Sequence, residues 1–280
     1  MAAIYRGMDR PTLDAAYDNT AAVGIPKRDR YVAGWSARSD AVRRAVKARL
    51  DIPYGRTARE RLDVFPCGRP NAPTLVYIHG GYWQFNDKEP YAFFGESLLP
   101  AGFNLVLVEY TLAPAARMDQ IVAEVRRAVA WVIDHAGELG LDPARVFVAG
   151  HSAGGHLTAM AMSEPRVAGG IAISGIFDLE PIRLNYLNAK LGLDPAEAER
   201  NSPVLHLPAR AAPLVVTVGL DELPELIRQS KEYAESWQKH GLNGRYLPLP
   251  GHEHFSILEE LAKPDGAIVG ALKQLALSRG

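Results

Sequence analysis

The strongest constraint in this sequence is a series of short runs with a continuous apolar centre. Thr74–Ile78 (TLVYI), Phe103–Tyr110 (FNLVLVEY), Arg145–Ala149 (RVFVA), Gly170–Ser174 (GIAIS) and Leu214–Val218 (LVVTV) show little polar–apolar alternation. A strand with one wet face alternates, whereas a continuous apolar run belongs to a parallel sheet covered on both faces by helices. Between the runs lie stretches with helical spacing. Met118–His135 places Ile121, Val122, Val125, Val129 and Val132 on one side and is closed by Gly137 and Gly140. Pro224 opens another helix, which carries Lys239 and His240 in its last turn and stops at Gly241. A final helix covers about 267–277, Arg61–Phe65 and Arg245–Leu249 read as further strands, and Val42, Ala45, Val46 and Leu50 space a helix over Ser39–Leu50. The pattern predicts an α/β architecture: a mostly parallel central sheet, helices on both faces, and reactive loops beyond the carboxyl ends of the strands.

Composition narrows the class further. With 280 residues, no repeat and no flexible linker, 1–280 reads as a single α/β domain. Hydrophobic residues at 48% and charged residues at 22% exclude a disordered chain. Lys plus Arg number 31 and Asp plus Glu 32, so no net field steers nucleic acid or anionic membrane toward the protein. Cys67 is alone, which rules out an intrachain disulfide and a cysteine metal cluster. The first residues, MAAIYRGMDRPTLDAAYDN, are charged where a signal peptide needs an apolar stretch, and no run approaches the roughly 20 apolar residues of a membrane helix. The expectation is a cytoplasmic enzyme acting on a small molecule without a cofactor, of a size that admits a homodimer.

Two glycine-rich turns carry the chemistry. Gly150-His151-Ser152-Ala153-Gly154-Gly155 follows an apolar run and precedes the helical stretch His156–Met162, the strand–turn–helix setting of a G-x-S-x-G nucleophile elbow. So sharp a reversal crowds the serine against residues two before and two after it, and glycine there removes the clash. His79-Gly80-Gly81-Tyr82-Trp83 follows the strand 74–78. There the amides of Gly80 and Gly81, with that of Ala153, would form an oxyanion hole. His79 reads as a hydrogen-bonded brace for the loop, and Tyr82 and Trp83 as walls of an acyl or aryl pocket.

An acid and a histidine should follow the serine in chain order. Beyond strand 214–218, Asp221, Glu222 and Glu225 all offer carboxylates; Glu225 stands in a first helical turn, where the helix dipole alone favours it. Beyond strand 245–249, Gly251-His252-Glu253-His254-Phe255 offers two imidazoles. The spacing of that loop does not match H-E-x-x-H, so no metal site is expected. His135, His151, His156, His206 and His240 read as surface, core or capping residues.

HGG after one strand, with GHSAGGH about seventy residues later, resembles the α/β-hydrolase superfamily near the hormone-sensitive-lipase-like esterases. The HGGYW form is closer to the kynurenine formamidase (arylformamidase) branch. The similarity runs from about Tyr54-Gly55 to Gly251–Phe255. It implies the α/β-hydrolase fold with a small lid, and a serine hydrolase acting on aryl formamides or related small esters and amides. It also implies Glu222 as the acid, from the stretch Leu223–Ser230, with Asp221 its competitor, and His254, immediately before Phe255, as the base. Ser152, Glu222 and His254 would then form the catalytic chain, and His252 would structure the loop. The long segment between Phe177 and Leu207 is expected to fold over the site together with 1–48, and Tyr82, Trp83, Phe177 and Tyr186 to favour an aromatic substrate. The rivals are a general carboxylesterase on short acyl esters and a catalytically silent ligand-binding member of the fold.

Overall fold

The computed structural model describes residues 2–278. Its centre is an eight-stranded sheet: β1 (Arg49–Pro53), β2 (Arg61–Phe65), β3 (Thr74–Ile78), β4 (Asn104–Val108), β5 (Val146–His151), β6 (Gly169–Ile173), β7 (Leu214–Gly219) and β8 (Gly244–Leu249). They lie in the order β1-β2-β4-β3-β5-β6-β7-β8. The pairs β1–β2 and β2–β4 are antiparallel, and every pair from β4–β3 to β7–β8 is parallel. The apolar runs of the sequence are the parallel strands, and every position of β3, β4, β5, β6 and β7 is buried. Neighbouring residues feed opposite layers. Leu75 and Tyr77 pack in one core with the Ala267–Leu277 helix, while Val76 packs in another with the Met118–Asp134 and Pro224–Lys239 helices. Both faces are therefore dry, as uninterrupted apolar strands require.

Two expectations shift. The helix placed at Ser39–Leu50 is longer toward the N-terminus and shorter at its end, spanning Ile25–Ala45. Val46 is already extended, and Arg49–Pro53 forms β1, an edge strand too polar to stand out by periodicity. Tertiary partners decide this: Arg49 pairs with Val64, and the Asp51 amide donates to the Asp63 carboxylate at 2.8 Å. The second shift concerns the long segment after β6. It folds into three short helices, Glu180–Arg183, Asn188–Leu191 and Pro195–Arg200, whose Ile182, Leu191 and Ala198 share a core with Leu13, Tyr17 and Trp83. Among the described residues no helix is long and apolar enough to cross a membrane.

Candidate active site

The tight reversal from β5 into the Ala153–Ala161 helix puts Ser152 at φ 57°, ψ −120°, a strained conformation for a non-glycine residue. Two contacts hold it: the Ser152 amide donates to the Ile173 carbonyl at 2.9 Å, and its carbonyl accepts from His156 at 3.1 Å. The glycines are steric necessities. A Cβ on Gly154 would lie 2.0 Å from the Ile78 carbonyl oxygen, and one on Gly80 would lie 2.6 Å from the His151 carbonyl and 3.2 Å from the Ser152 Cβ. Strand β3, the elbow and the HGG loop thus approach closely enough for backbone amides to surround the serine. Among the described residues, the amides of Gly80, Gly81 and Ala153 donate to no other protein group, and Ala153 opens a helix whose first N–H groups are free.

The HGG loop is braced from behind. His79 spans the Gly80 carbonyl at 2.8 Å and the Glu109 carboxylate at 2.9 Å, and its ring stacks on Tyr110 at 4.4 Å. Burial by itself would raise Glu109, but the hydrogen bond and charge of His79 and the charge of Arg59 more than offset it, holding the carboxyl below its ordinary value.

The acid and imidazole meet beyond β7 and β8. His254 Nδ1 lies 2.6 Å from Glu222 Oε2. The other carboxylate oxygen, Oε1, accepts from the Ser174 hydroxyl at 2.5 Å and from the Gly219 amide at 2.8 Å. Ser174, at the end of β6, was not singled out by sequence reasoning; its place beyond the carboxyl end of a strand is the signal that could have marked it. Asp221 takes a different role, since it is exposed and only its amide is engaged, donating to the His252 carbonyl at 3.0 Å. Glu225 pairs with Arg228 at 2.6 Å and accepts from Tyr17. His252 shapes its loop through that carbonyl, with its ring 3.5 Å from Glu260.

Ser152, His254, Gly80 and Gly81 all line one cavity of about 110 Å³. Asn19, Arg28, Val32 and Trp35 form its outer wall, so the N-terminal segment covers the site and residues 177–207 do not line it. Of the four aromatics expected there, only Tyr82 contributes. Trp83 is wholly buried beneath the loop, its indole donating to His156 Nδ1 at 3.2 Å. Phe177 stacks on Tyr233 at 4.2 Å inside the core, and Tyr186 is 40% exposed and does not line the cavity. Large apolar side chains satisfy whichever core lies under their own backbone, which sequence order does not reveal. Conversely His151, read as incidental, lines the cavity with its ring 4.4 Å from that of His254. Burial first, then the neighbouring His254, pushes His151 far below the usual histidine range, so it stays neutral.

His156 carries a pH signature. Burial pushes it from 6.5 down to about 4. Between those values the unfolded chain binds a proton that the folded one refuses, so stability is complete above pH 6.5 and falls as the pH drops toward 4. The gap corresponds to roughly 3 kcal/mol. Urea titrations across this range should show a flatter pH dependence for His156→Gln than for the wild type; equal slopes would refute the assignment.

The profile of the prolyl oligopeptidase family matches residues 117–265, and that of the BD-FAE family residues 63–168. A kynurenine formamidase from Danio rerio is 33% identical over 246 residues, covering 82% of this chain and 83% of the relative. Its counterpart from Salmo salar is 35% identical over 232 residues, covering 77% and 78%. The chain belongs to the kynurenine formamidase family. Like its relatives it is an α/β-hydrolase and an enzyme. A crystal structure from Silicibacter sp. tm1040, provisionally described as a thioesterase, superposes with a TM-score of 0.83 at 29% identity, covering 93% of this chain and 98% of that one. The family resemblance read from HGGYW and GHSAGGH, and the fold it implied, agree with these comparisons.

Proposed function

We propose that Ser152, His254 and Glu222 hydrolyse a small aryl formamide through a formyl-enzyme. Ser152 attacks the formyl carbonyl while His254 Nε2 takes its proton. Glu222 receives the Nδ1–H bond, holding the tautomer that leaves Nε2 free to act as base, and stabilises the imidazolium without taking the proton. The amides of Gly80, Gly81 and Ala153 receive the oxyanion, each such donor being worth roughly 3 kcal/mol. His254 then protonates the departing arylamine nitrogen as the C–N bond breaks. Water, deprotonated in turn by His254, attacks the formyl-serine and releases formate and free Ser152.

The observation that carries this reading is the 2.6 Å His254–Glu222 contact on a cavity shared with a backbone-strained serine and three unengaged amides. The identity of the relatives supports a formamide over a generic ester, while esterases such as the LipQ protein of Mycobacterium tuberculosis, 26% identical, keep esters as the second reading. Turnover of N-formylkynurenine and formanilide against short p-nitrophenyl esters tests it. The formamides should lead in kcat/KM by about tenfold or more, equivalent to some 1.4 kcal/mol of transition-state preference; esters leading by that margin would replace the proposal with a carboxylesterase.

A further inference from the structure

Two compartments of opposite character meet at the catalytic imidazole. The cavity that holds Ser152 is walled largely by Trp35, Tyr82, Phe85, Tyr91 and Phe255. A second cavity of about 250 Å³ reaches Glu222 and His254 but is lined by neither Ser152 nor the glycines of the HGG loop. Its walls are charged: Lys27, Asp221 and Glu253 contribute, with Lys27 Nζ 3.4 Å from Glu253. Ala22, Lys27 and Asp221 are exposed, so this cavity opens to bulk water. Charged walls keep water and reject an aromatic ring, whereas aromatic walls do the reverse. Among the described residues, Asn19 and His254 alone line both cavities.

Asn19 is 3% exposed and its amide has one orientation. Nδ2 donates to the Tyr82 hydroxyl at 2.7 Å, and that hydroxyl gives its own proton to the Tyr17 carbonyl, so a flipped amide would lose a bond. Oδ1 is left buried, and among the described residues nothing donates to it. A buried acceptor of this kind is costly unless something supplies a proton to it. On the partition between a wet cavity and the catalytic one, that donor is water.

We propose that the second cavity delivers the water of deacylation and that Asn19 Oδ1 positions it. This rests on the acyl-enzyme reading above. The water oxygen bonds to the acyl carbon, one proton passing to His254 Nε2 while the other is held by Asn19 Oδ1. The bond from that carbon to Ser152 Oγ then breaks, Oγ recovers the proton from His254, and the carboxylic acid leaves and ionises in solvent. The first leaving group departs through the aromatic cavity, so it and the water do not compete for one route.

An alcohol provides the test, because its single O–H proton goes to His254 and none remains for Asn19. The acetyl-enzyme formed from p-nitrophenyl acetate is partitioned between water and 1-butanol, and acetate and butyl acetate are both measured. This ester makes the result independent of any preference for formamides. In Asn19→Leu the ratio of acetate to butyl acetate falls about tenfold, the size of one lost hydrogen bond. Val23→Trp lowers the ratio in the same sense, since Val23 lines the second cavity and not the first; should that variant fail to fold, Asn19→Leu decides alone. A merely structural role slows both products alike, and ratios within about twofold of wild type overturn the proposal. Wild-type enzyme that yields no butyl acetate, and no acetylated Ser152 by mass spectrometry after acid quench, refutes the acyl-enzyme reading itself. Butyl acetate formed with unchanged ratios refutes the water route alone.

Discussion

Ser152→Ala lowers kcat by about 10⁴-fold or more and abolishes covalent labelling by a fluorophosphonate, leaving the thermal midpoint close to wild type. The size follows from removing the only group that bonds to the acyl carbon; what survives is the contribution of the oxyanion hole and binding. The fold should tolerate the change, because both hydrogen bonds recorded for this residue, to Ile173 and from His156, run through the backbone, which alanine keeps. Alanine meets the same steric objection at φ 57° as serine, so the strain is not relieved either. Turnover or labelling that persists in this variant would refute the nucleophile assignment, and with it the third reading of a catalytically silent fold would be decided by the wild-type labelling alone.

Glu222→Gln costs about 10³- to 10⁴-fold in kcat, whereas Asp221→Asn stays within about twofold. The reason lies in which oxygen does what. Oε1 of Glu222 faces two donors, the Ser174 hydroxyl and the Gly219 amide, so a glutamine there must keep its carbonyl oxygen on that side. Its NH₂ then faces His254 Nδ1, which has to present a lone pair instead of a proton. The ring is driven into the tautomer with Nε2 protonated, which cannot take the serine proton, the same defect that an Asp-to-Asn change produces in other serine hydrolases. Asp221 has no comparable engagement, since its carboxylate is exposed and makes no hydrogen bond among the described residues. Steady-state rates for the two variants, with denaturation curves to separate folding from chemistry, decide between the carboxylates; a collapse confined to Asp221→Asn would reverse the assignment.

The degree to which the candidate site was legible differs residue by residue. The elbow could be read locally because its flanking strand and helix are local patterns, although the clash that Gly154 avoids is with the Ile78 carbonyl, which only the folded sheet brings there. The choice of Glu222 over Asp221 needed the family resemblance, since adjacent carboxylates on one loop differ only in where β7 aims them. Trp83 and Phe177 were misplaced for the opposite reason: an aromatic near a reactive loop is equally at home in a pocket or in a core, and here each had a core partner, His156 and Tyr233. His151 and Ser174 were overlooked because their roles depend on contacts with residues about 100 and 48 positions away, His254 and Glu222.

The periodicity of apolar residues, read along the chain, was enough to determine a parallel sheet dry on both faces, since burial of each strand is a property of its own side chains. It also determined where the sharp turns fall, because an apolar strand, a glycine-rich turn and a helix follow one another along the chain. What only the tertiary structure decided is which distant segment closes over the serine. The Ile25–Ala45 helix, weakly amphipathic and easily read as polar, supplies the wall with Arg28, while the longer segment at 177–207 packs elsewhere. The physical reason is that packing between elements depends on the shapes of both surfaces at once, and neither surface is complete until the sheet beneath them has formed.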